Sequence, residues 1–251
     1  EVAAPDLSRI CGIALNGDPE NNSIDVRDYQ TFWLGVKTNL KGYNPTAPDA
    51  VLPALADISA YLYNDHNTDP LIKAALVHYQ FEMIHPFERY NGIVGRIIVP
   101  MVLRDTIGEA MPLICLSEYL YHNKNEYFDL LRTTQYSGGY IRWIKFFVCA
   151  VGEAAKQSAK LLAQYENDIL WAEQQIKENT LSSKSIWGVY NYLKRYPVSS
   201  ISRATEQTRF SFNSISKAMQ SLKEAGIVQE TAEVRNRIWV HKKLIENLWY
   251  F

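Results

Sequence analysis

The stretch from residue 69 to residue 103 constrains the fold more than any other part of the chain. Asp69-Pro70 is a helix start, because aspartate caps the free N–H groups of a first turn and proline is tolerated there. The residues that follow recur at three- and four-residue steps, which predicts an amphipathic helix of about four turns. Its recurring positions are Leu71, Ala74, Ala75, His78, Phe81 and Ile84. Pro86 ends this helix, because the residue before a proline disfavours the helical region.

A second apolar helix is predicted from near Ile93 to Leu103, with a kink at Pro100. The loop before it holds Asn91 and Gly92, residues that tolerate left-handed backbone conformations. A turn of this kind, opening onto a helix N-terminus, aims backbone N–H groups at an anion. A histidine facing such a helix start suits phosphoryl chemistry, in which it takes a proton while the loop holds the phosphate charge.

Residues 85–96 read HPFERYNGIVGR. This stretch resembles the signature loop of the Fic/Doc (Fido) family, H-P-F-x-[D/E]-G-N-[G/K]-R followed by x-x-R. Members of that family mostly transfer the AMP of ATP onto a protein hydroxyl. The resemblance implies that His85 is the catalytic base and that Asn91, Gly92 and Arg96 bind phosphate.

Three further segments extend the resemblance. Residues 78–85 resemble the family's H-x-x-F-x-x-I-H lead-in, residues 116–131 its L-S-x-Y and N-x-x-x-Y-[YF]-x-x-L segment, and residues 143–147 its W-I-x-F-F. The resemblance implies that Asn123 and Tyr127 bind the adenine side of the nucleotide. The alternative interpretation of these two residues is a helix cap and a core aromatic.

The loop departs from the family pattern at three positions. Arg89 stands at the position of the metal-binding acid and could pair with phosphate instead, Tyr90 replaces a glycine, and Ile93 replaces the first, phosphate-holding arginine. ATP is the expected ligand, but an arginine cannot ligate the Mg²⁺ that normally accompanies a triphosphate. Glu88 could supply a carboxylate only if the loop were rearranged. Activity is therefore expected to be weak, redirected or absent, because a lost charged phosphate contact costs orders of magnitude in rate.

Two N-terminal segments resemble further family elements. An inhibitory-type helix is expected at residues 6–14, where Ser8 opens the motif and Cys11 occupies the position of the inhibitory glutamate. An ordinary capped helix start is the alternative interpretation. Residues 26–48 resemble the family's flap, a β-hairpin whose exposed edge can pair with a target peptide.

The C-terminal part of the chain has its own pattern of short elements, which resembles a winged helix-turn-helix, a module that Fic proteins of this type often carry. Three helices, a polar turn and two short strands are expected. The helices are expected at residues 186–193, 199–206 and 212–222, with a cap at Ser211 before the third helix and a stop at Ala225-Gly226 after it. The strands are expected at residues 227–230 and 237–240, on either side of a polar turn at residues 231–236.

This part of the chain is also basic. From Ser182 onward there are 11 Lys and Arg against 5 Asp and Glu, whereas residues 1–181 hold 15 against 22. The imbalance predicts an anionic partner, either DNA or the chain's own acidic domain; dimerisation or protein docking is the alternative. The candidate DNA-binding residues are Arg203, Arg209, Asn213, Lys217, Arg235 and Arg237.

The sequence thus predicts a mainly α fold in two domains. A Fic-type domain is expected at residues 1–180, with its core at 50–149 and a linking helix at 150–180, and a winged helix-turn-helix at 182–251. The leading functional hypothesis is nucleotide-dependent modification of a protein hydroxyl. The alternatives are a non-catalytic Fic fold that binds nucleotide or peptide, and a DNA-binding regulator.

Composition bounds the setting of the protein. No run of 18 apolar residues occurs, which predicts no membrane span. Three scattered cysteines, Cys11, Cys115 and Cys149, do not form a disulfide or zinc framework and are expected to be reduced thiols. We therefore expect a cytoplasmic protein without a membrane partner. The sequence is compatible with both a monomer and a homodimer.

Overall fold

The computed structural model describes residues 13, 25–32, 43–108, 114–179, 183–231 and 237–249. These residues are mainly helical, with one small antiparallel sheet of three strands, and this confirms the predicted fold class. The chain divides into two compact units, residues 1–158 and residues 159–251. In the described ranges no helix combines the length and the hydropathy needed to cross a bilayer.

The first unit is built from seven helical segments in the part of the chain that the structure describes. They are α1 (Pro48–Asn64), α2 (Pro70–Ile84), α3 (Asn91–Val102), α4 (Arg104–Ile107), α5 (Leu116–His122), α6 (Lys124–Ser137) and the N-terminal part of α7 (Tyr140–Glu178). Helix α2 packs against both α1 and α3.

Helix α2 begins and ends where the sequence predicts. The Asp69 carboxylate accepts hydrogen bonds from the backbone N–H groups of Leu71 and Ile72, at 2.9 and 3.4 Å. The helix ends at Ile84, and His85 turns left-handed with φ 50°. The prediction that α2 is amphipathic is wrong, however. It is buried on several sides, because two separate apolar clusters cover it; its buried residues are Ala74, Ala75, Val77, His78, Tyr79, Phe81, Glu82, Met83 and Ile84.

One cluster joins α2 to α7. Trp143 is fully buried, and its indole Nε1 donates to the Ala75 carbonyl at 2.8 Å, so the largest core side chain also has its polar atom satisfied. Full burial of such a side chain contributes roughly 3 kcal/mol or more. On the other side of α2, Phe81 and Phe87 pack with residues of α1 and α3. The loop after α2 is therefore fixed to the core by Phe87.

Helix α7 differs from the predicted linking helix. The prediction placed its start at residue 150, but the helix begins at Tyr140 and includes the W-I-x-F-F segment. Gly138, with φ 66°, ends α6 in the left-handed conformation that glycine adopts without strain, so only a short turn separates the two helices. The division between the two compact units falls inside α7.

The second unit contains the rest of α7 and a mixed set of short elements. They are α8 (Lys184–Arg195), β1 (Val198–Ser200), α9 (Ile201–Gln207), α10 (Phe212–Glu224), β2 (Val228–Glu230), β3 (Ile238–His241) and α11 (Lys242–Trp249). The sheet order is β1-β3-β2, with both pairings antiparallel. Strand β1 and helix α11 were not predicted.

Capping serines explain where the helices of the second unit begin. Ser183, Ser200 and Ser211 each accept a hydrogen bond from the backbone N–H three residues later. Gly226, with φ 72°, follows α10 and lets the chain turn into β2. The predicted cap at Ser211 and the predicted stop at Gly226 are both confirmed.

Candidate functional site

The loop after α2 is held from behind by a buried arginine. Arg27 is 5% exposed, and its guanidinium donates to the carbonyls of His85 (2.7 Å), Ile84 (3.0 Å), Tyr29 (2.8 Å) and Thr46. Its backbone N–H also donates to the Pro86 carbonyl at 2.9 Å. One side chain thus satisfies the carbonyls of Ile84 and His85, where α2 ends.

His85 is the best-positioned candidate for a reacting group. The Tyr43 hydroxyl lies 3.3 Å from its Nδ1 atom. Burial lowers the pKa of His85 to about 4, although a hydrogen bond to the Glu82 carbonyl opposes the shift and Arg27 adds to it. The imidazole is therefore neutral at pH 7 and can accept a proton.

The turn between His85 and α3 is closed by an asparagine. The Phe87 N–H donates to Asn91 Oδ1 at 2.9 Å, and Asn91 Nδ2 donates to the Phe87 carbonyl at 2.7 Å. Among the described residues, the non-glycine positions with positive φ are His85 and Tyr90. The prediction that Asn91 and Gly92 supply the left-handed turn is wrong, since both are the first residues of α3. The left-handed conformation falls instead on Tyr90, where the signature pattern has glycine.

Beneath the first turns of α3 lies a buried polar layer. His78 Nδ1 lies 2.9 Å from the Gly95 carbonyl and its Nε2 lies 3.0 Å from the Tyr127 hydroxyl. Burial lowers the pKa of His78 to about 4 and raises the pKa of Glu82 to about 7. A Cβ on Gly95 would lie 2.6 Å from Glu82 Oε1, so a side chain at this position would displace the carboxylate.

Arg96 lies on α3, one turn beyond the loop. Its Nε donates to the Ser117 hydroxyl on α5 at 2.9 Å. Since this bond uses Nε alone, the guanidinium retains the donors of Nη1 and Nη2. Helix α3 therefore brings together a helix N-terminus, Asn91, Gly92 and Arg96, with His85 at the other end of the same loop.

Residues that depart from the signature pattern lie on the outer face of the loop and in the first turn of α3. Arg89 is exposed, and its Nε lies 4.0 Å from a Glu88 carboxylate oxygen, with both side chains mostly in solvent. Ile93 is half-buried in the first turn of α3. In the described part of the chain no cluster of three His, Cys, Asp or Glu could hold a metal ion. A cation at Arg89 would meet a positive charge, so the residues here do not fit a protein-held Mg²⁺.

The two residues expected near an adenine take structural positions. Asn123 Nδ2 donates to the Tyr119 carbonyl at 2.9 Å, at the junction of α5 and α6. Tyr127 is 7% exposed and packs against Trp143. Ser8 and Cys11 lie outside the described residues, as do the rest of the expected inhibitory helix except Ile13 and much of the expected flap.

The candidate DNA-binding residues of the second unit are for the most part at the surface. Arg203, Arg209, Asn213 and Lys217 are exposed. Arg237 Nη1 lies 3.0 Å from a carboxylate oxygen of Glu230, which also binds Lys223. Arg235 lies outside the described residues.

Comparison with known proteins assigns part of the first unit to a family. Residues 12–103 match the model of the Fic/DOC family. The chain contains a Fic/DOC domain. That range includes helices α1 to α3, His85, Asn91 and Arg96, so the loop described above lies within the matched region.

The relatives agree with this assignment. The protein adenylyltransferase fic-1 of Caenorhabditis briggsae is 38% identical over 64 residues, which is 24% of this chain and 12% of that protein. A probable protein adenylyltransferase of Aquifex aeolicus is 28% identical over 119 residues, 43% of this chain and 34% of that protein. The alignments thus span well under half of either relative, and the homology to protein adenylyltransferases is distant.

A solved structure matches at the level of the fold. A Fic family protein from Desulfovibrio desulfuricans aligns over 95% of this chain and 68% of its own, with a TM-score of 0.53 and 15% sequence identity. At that identity the similarity shows the shared fold, and the function has to be argued from the site.

Three residues of the site were not predicted from the sequence. Arg27 was assigned to a flap strand, Tyr43 was part of the same segment, and Glu82 was an unassigned position of the lead-in. Only Glu82 left a signal that could have been used. It is a carboxylate in the buried half of an apolar helix, and such residues are seldom fully buried without a partner.

Proposed function

We propose that the Fic/DOC domain binds the phosphates of ATP at the start of α3 and transfers AMP, slowly, to a hydroxyl side chain of a protein. The observation that supports this most is His85, whose carbonyl accepts a hydrogen bond from Arg27 and whose Nδ1 lies 3.3 Å from the Tyr43 hydroxyl, while burial keeps its imidazole neutral at pH 7. The relatives support the choice of reaction, since they are described as protein adenylyltransferases.

In the proposed reaction His85 accepts the proton of the attacking hydroxyl. The hydroxyl oxygen forms a bond to the α-phosphorus while the bond from that phosphorus to the pyrophosphate oxygen breaks, and pyrophosphate leaves. The N–H groups at the start of α3 and the guanidinium of Arg96 stabilise the charge on the phosphates. With a pKa of about 4, His85 is ready to act at neutral pH, although its low basicity limits the driving force for proton transfer.

The rate is expected to be low because two contributions of the family's loop are missing. Ile93 provides no hydrogen bond to phosphate, and Arg89 does not hold a cation. Removing one charged stabilising group from a transition state typically costs about 100-fold to 1,000-fold in rate. Arg89 could return part of this by pairing with a phosphate oxygen itself.

Calorimetric titration of the full chain with ATP, with and without Mg²⁺, tests the binding step. Because Arg89 brings positive charge where the family has a metal ligand, binding should persist without Mg²⁺. Arg96→Ala should weaken it about tenfold or more, consistent with a lost charged hydrogen bond of about 1.5–3 kcal/mol. Arg142→Ala is the matched control, since this exposed arginine lies on α7. Binding that strictly requires Mg²⁺ would contradict the proposed role of Arg89.

The rival hypothesis is a Fic fold that binds nucleotide or a peptide without catalysis. Incubation with ATP labelled in the α-phosphate and a cell extract separates the two. Transfer that is present in the natural chain, lost in His85→Ala and retained in His66→Ala supports catalysis; His66 is an exposed histidine suited as a control. Tight binding of ATP with no labelled protein supports the rival.

We also propose that the second unit is a winged helix-turn-helix that binds DNA. The supporting observation is the exposure of Asn213 and Lys217 on α10, with Arg203 and Arg209 exposed nearby in sequence. Binding of duplex DNA should then weaken with salt at a log–log slope of about −0.9 per phosphate contact.

Fluorescence anisotropy of the full chain with duplex DNA measures this slope. Lys217→Ala should weaken binding and reduce the slope by about one, whereas Lys184→Ala, at the exposed start of α8, should not. A chain that ignores duplex DNA at low salt but associates with itself would support dimerisation in place of DNA binding.

A further inference from the structure

A carboxyl group lies buried beneath the phosphate-binding end of α3 without a hydrogen-bonding partner for one of its oxygens. Glu82 is 4% exposed, and its Oε1 accepts no hydrogen bond. The positions that a Cβ would occupy on Gly95 and Gly92 lie 2.6 and 3.9 Å from this oxygen. The carboxyl group therefore lies against the first turn of the helix whose N-terminus faces the proposed phosphate.

The groups that surround Glu82 come from several elements. His78 lies on α2 itself, Arg96 on α3, Tyr127 on α6, and Tyr43 in the segment before α1. His78 and Tyr127 bond to each other, and the other nitrogen of His78 lies by the Gly95 carbonyl. Arg96 is the cation of this set, and its Nη1 lies 3.1 Å from the same Gly92 Cβ position that Glu82 Oε1 approaches.

Ionised Glu82 and a bound phosphate would compete for the same positive groups. A carboxylate close to a helix N-terminus is stabilised by the helix dipole, and so is a phosphate. Both anions are also attracted by Arg96. Because the Glu82 site is buried, solvent screens the repulsion between the two anions only weakly.

Protonation of Glu82 removes this competition. Burial raises the pKa of Glu82 to about 7, and Arg96 opposes part of that shift. Both protonation states are therefore accessible near neutral pH without the ligand. A phosphate placed above α3 disfavours the ionised form further.

We propose that phosphate binding at the start of α3 is coupled to protonation of Glu82, which acts as a positioning residue because its protonation removes a competing negative charge beneath Arg96 and the helix N-terminus. This inference rests on the proposed nucleotide site. Because of this coupling, the affinity for ATP should decrease as the pH rises, by up to about tenfold per pH unit where one proton is taken up.

Calorimetry of the full chain with ATP at pH 7.5 and pH 8.5, without Mg²⁺, tests the coupling. A terminal phosphate with a pKa of about 6 is ionised across this range, so the charge of the ligand stays nearly constant. Titrations in two buffers with different heats of ionisation count the protons taken up. Glu82→Gln removes the titrating group, and Glu126→Gln, an exposed residue of α6, is the matched control.

The natural chain should take up a fraction of a proton to one proton per ATP and bind several-fold more weakly at pH 8.5. Glu126→Gln should behave in the same way, and Glu82→Gln should show neither effect. ATP binding without proton uptake by the natural chain overturns the coupling alone, and this result does not depend on whether Glu82→Gln folds. Absence of ATP binding at both pH values overturns the proposed nucleotide site together with the coupling.

Discussion

The loop between α2 and α3 has two faces that differ in how closely they follow the signature pattern of the Fic/DOC family. The inner face, with Phe87, Asn91 and the carbonyl of His85, is buried and hydrogen-bonded to the rest of the domain. The outer face, with Arg89 and Tyr90, is exposed and carries two of the three departures from the pattern.

This difference separates the requirements of folding from those of chemistry. On the inner face a lost partner would leave buried backbone groups unsatisfied, so the residues there determine whether the loop forms at all. On the outer face the side chains are mostly in solvent, so a substitution there should leave the loop closed and, in the proposed reaction, change its interactions with metal or phosphate. A chain can thus retain the fold of the loop and lose much of its activity.

The largest expected effect is a gain of transfer activity when the family residues are restored at all three departures, the two on the outer face and Ile93. Arg89→Asp with Tyr90→Gly and Ile93→Arg together return a metal ligand, backbone freedom and a phosphate contact. Labelled AMP incorporation should rise by about 100-fold or more in the presence of Mg²⁺. Adding His85→Ala to the triple variant should abolish it.

A natural chain that already labels a target as fast as the triple variant would show that these departures cost little. In that case the contrast between the two faces would hold for stability alone. Arg89 would then replace the phosphate-stabilising role of the metal ligand and of the arginine that the family pattern has.

A large effect on stability is expected from the inner face. Asn91→Ala leaves the buried N–H and C=O of Phe87 without partners, which should lower the free energy of unfolding by about 2–4 kcal/mol. Arg89→Ala, on the exposed outer face, should change it by about 0.5 kcal/mol or less. Urea unfolding followed by circular dichroism measures both, and equal losses in the two variants would remove the distinction between the faces.

The pH dependence of stability sharpens the comparison, because the group involved lies beneath the inner face. The pKa of Glu82 is raised from 4.5 to about 7 by folding, so the folded state binds this proton more tightly than the unfolded state. Its contribution to stability is present below about pH 4.5 and is lost as the pH rises through 7, by at most about 3 kcal/mol.

His78 and His85 act in the opposite direction. Their pKa values are lowered to about 4, so they reduce stability as the pH falls from 6.5 towards 4. The test is therefore the difference between the natural chain and Glu82→Gln from pH 5 to pH 8. The natural chain should lose about 2–3 kcal/mol relative to the variant over this range, and parallel stability curves would mean that Glu82 does not titrate there.

Local signals in the sequence were enough to predict where several helices begin and end. The Asp69 cap, Pro86, Ser211 and Gly226 place the ends of helices, because each acts within a few residues of its own position. The contacts that complete the site are different in kind. The bonds from Arg27 to Ile84 and His85 span 57 and 58 residues, and no periodicity or capping rule reports such a pairing.

The same reasoning explains the error in the loop. Asparagine and glycine are the usual left-handed residues, so the pattern favoured Asn91 and Gly92. The side chain of Asn91, however, is used to close the turn on Phe87, and α3 begins with that residue. The left-handed position is thereby moved to Tyr90, a residue type that local propensity would not have selected.

The smallest expected effect comes from relieving that strain. Tyr90 has φ 66° and ψ 11°, a conformation that costs a non-glycine residue roughly 1–2 kcal/mol. Tyr90→Gly removes this cost but gives the unfolded chain more conformational entropy to lose, which offsets part of the gain. The net result should be a stabilisation of about 0.5–1 kcal/mol.

Tyr136→Gly is the matched control, because this tyrosine is exposed like Tyr90 but lies in the right-handed helix α6. There the same change should destabilise by about 0.5–1 kcal/mol. Thermal and urea unfolding should thus move in opposite directions for the two variants. If Tyr90→Gly destabilises as much as Tyr136→Gly does, the contacts of the tyrosine ring stabilise the folded loop by more than its backbone strain costs. The outer face would then contribute to stability as well.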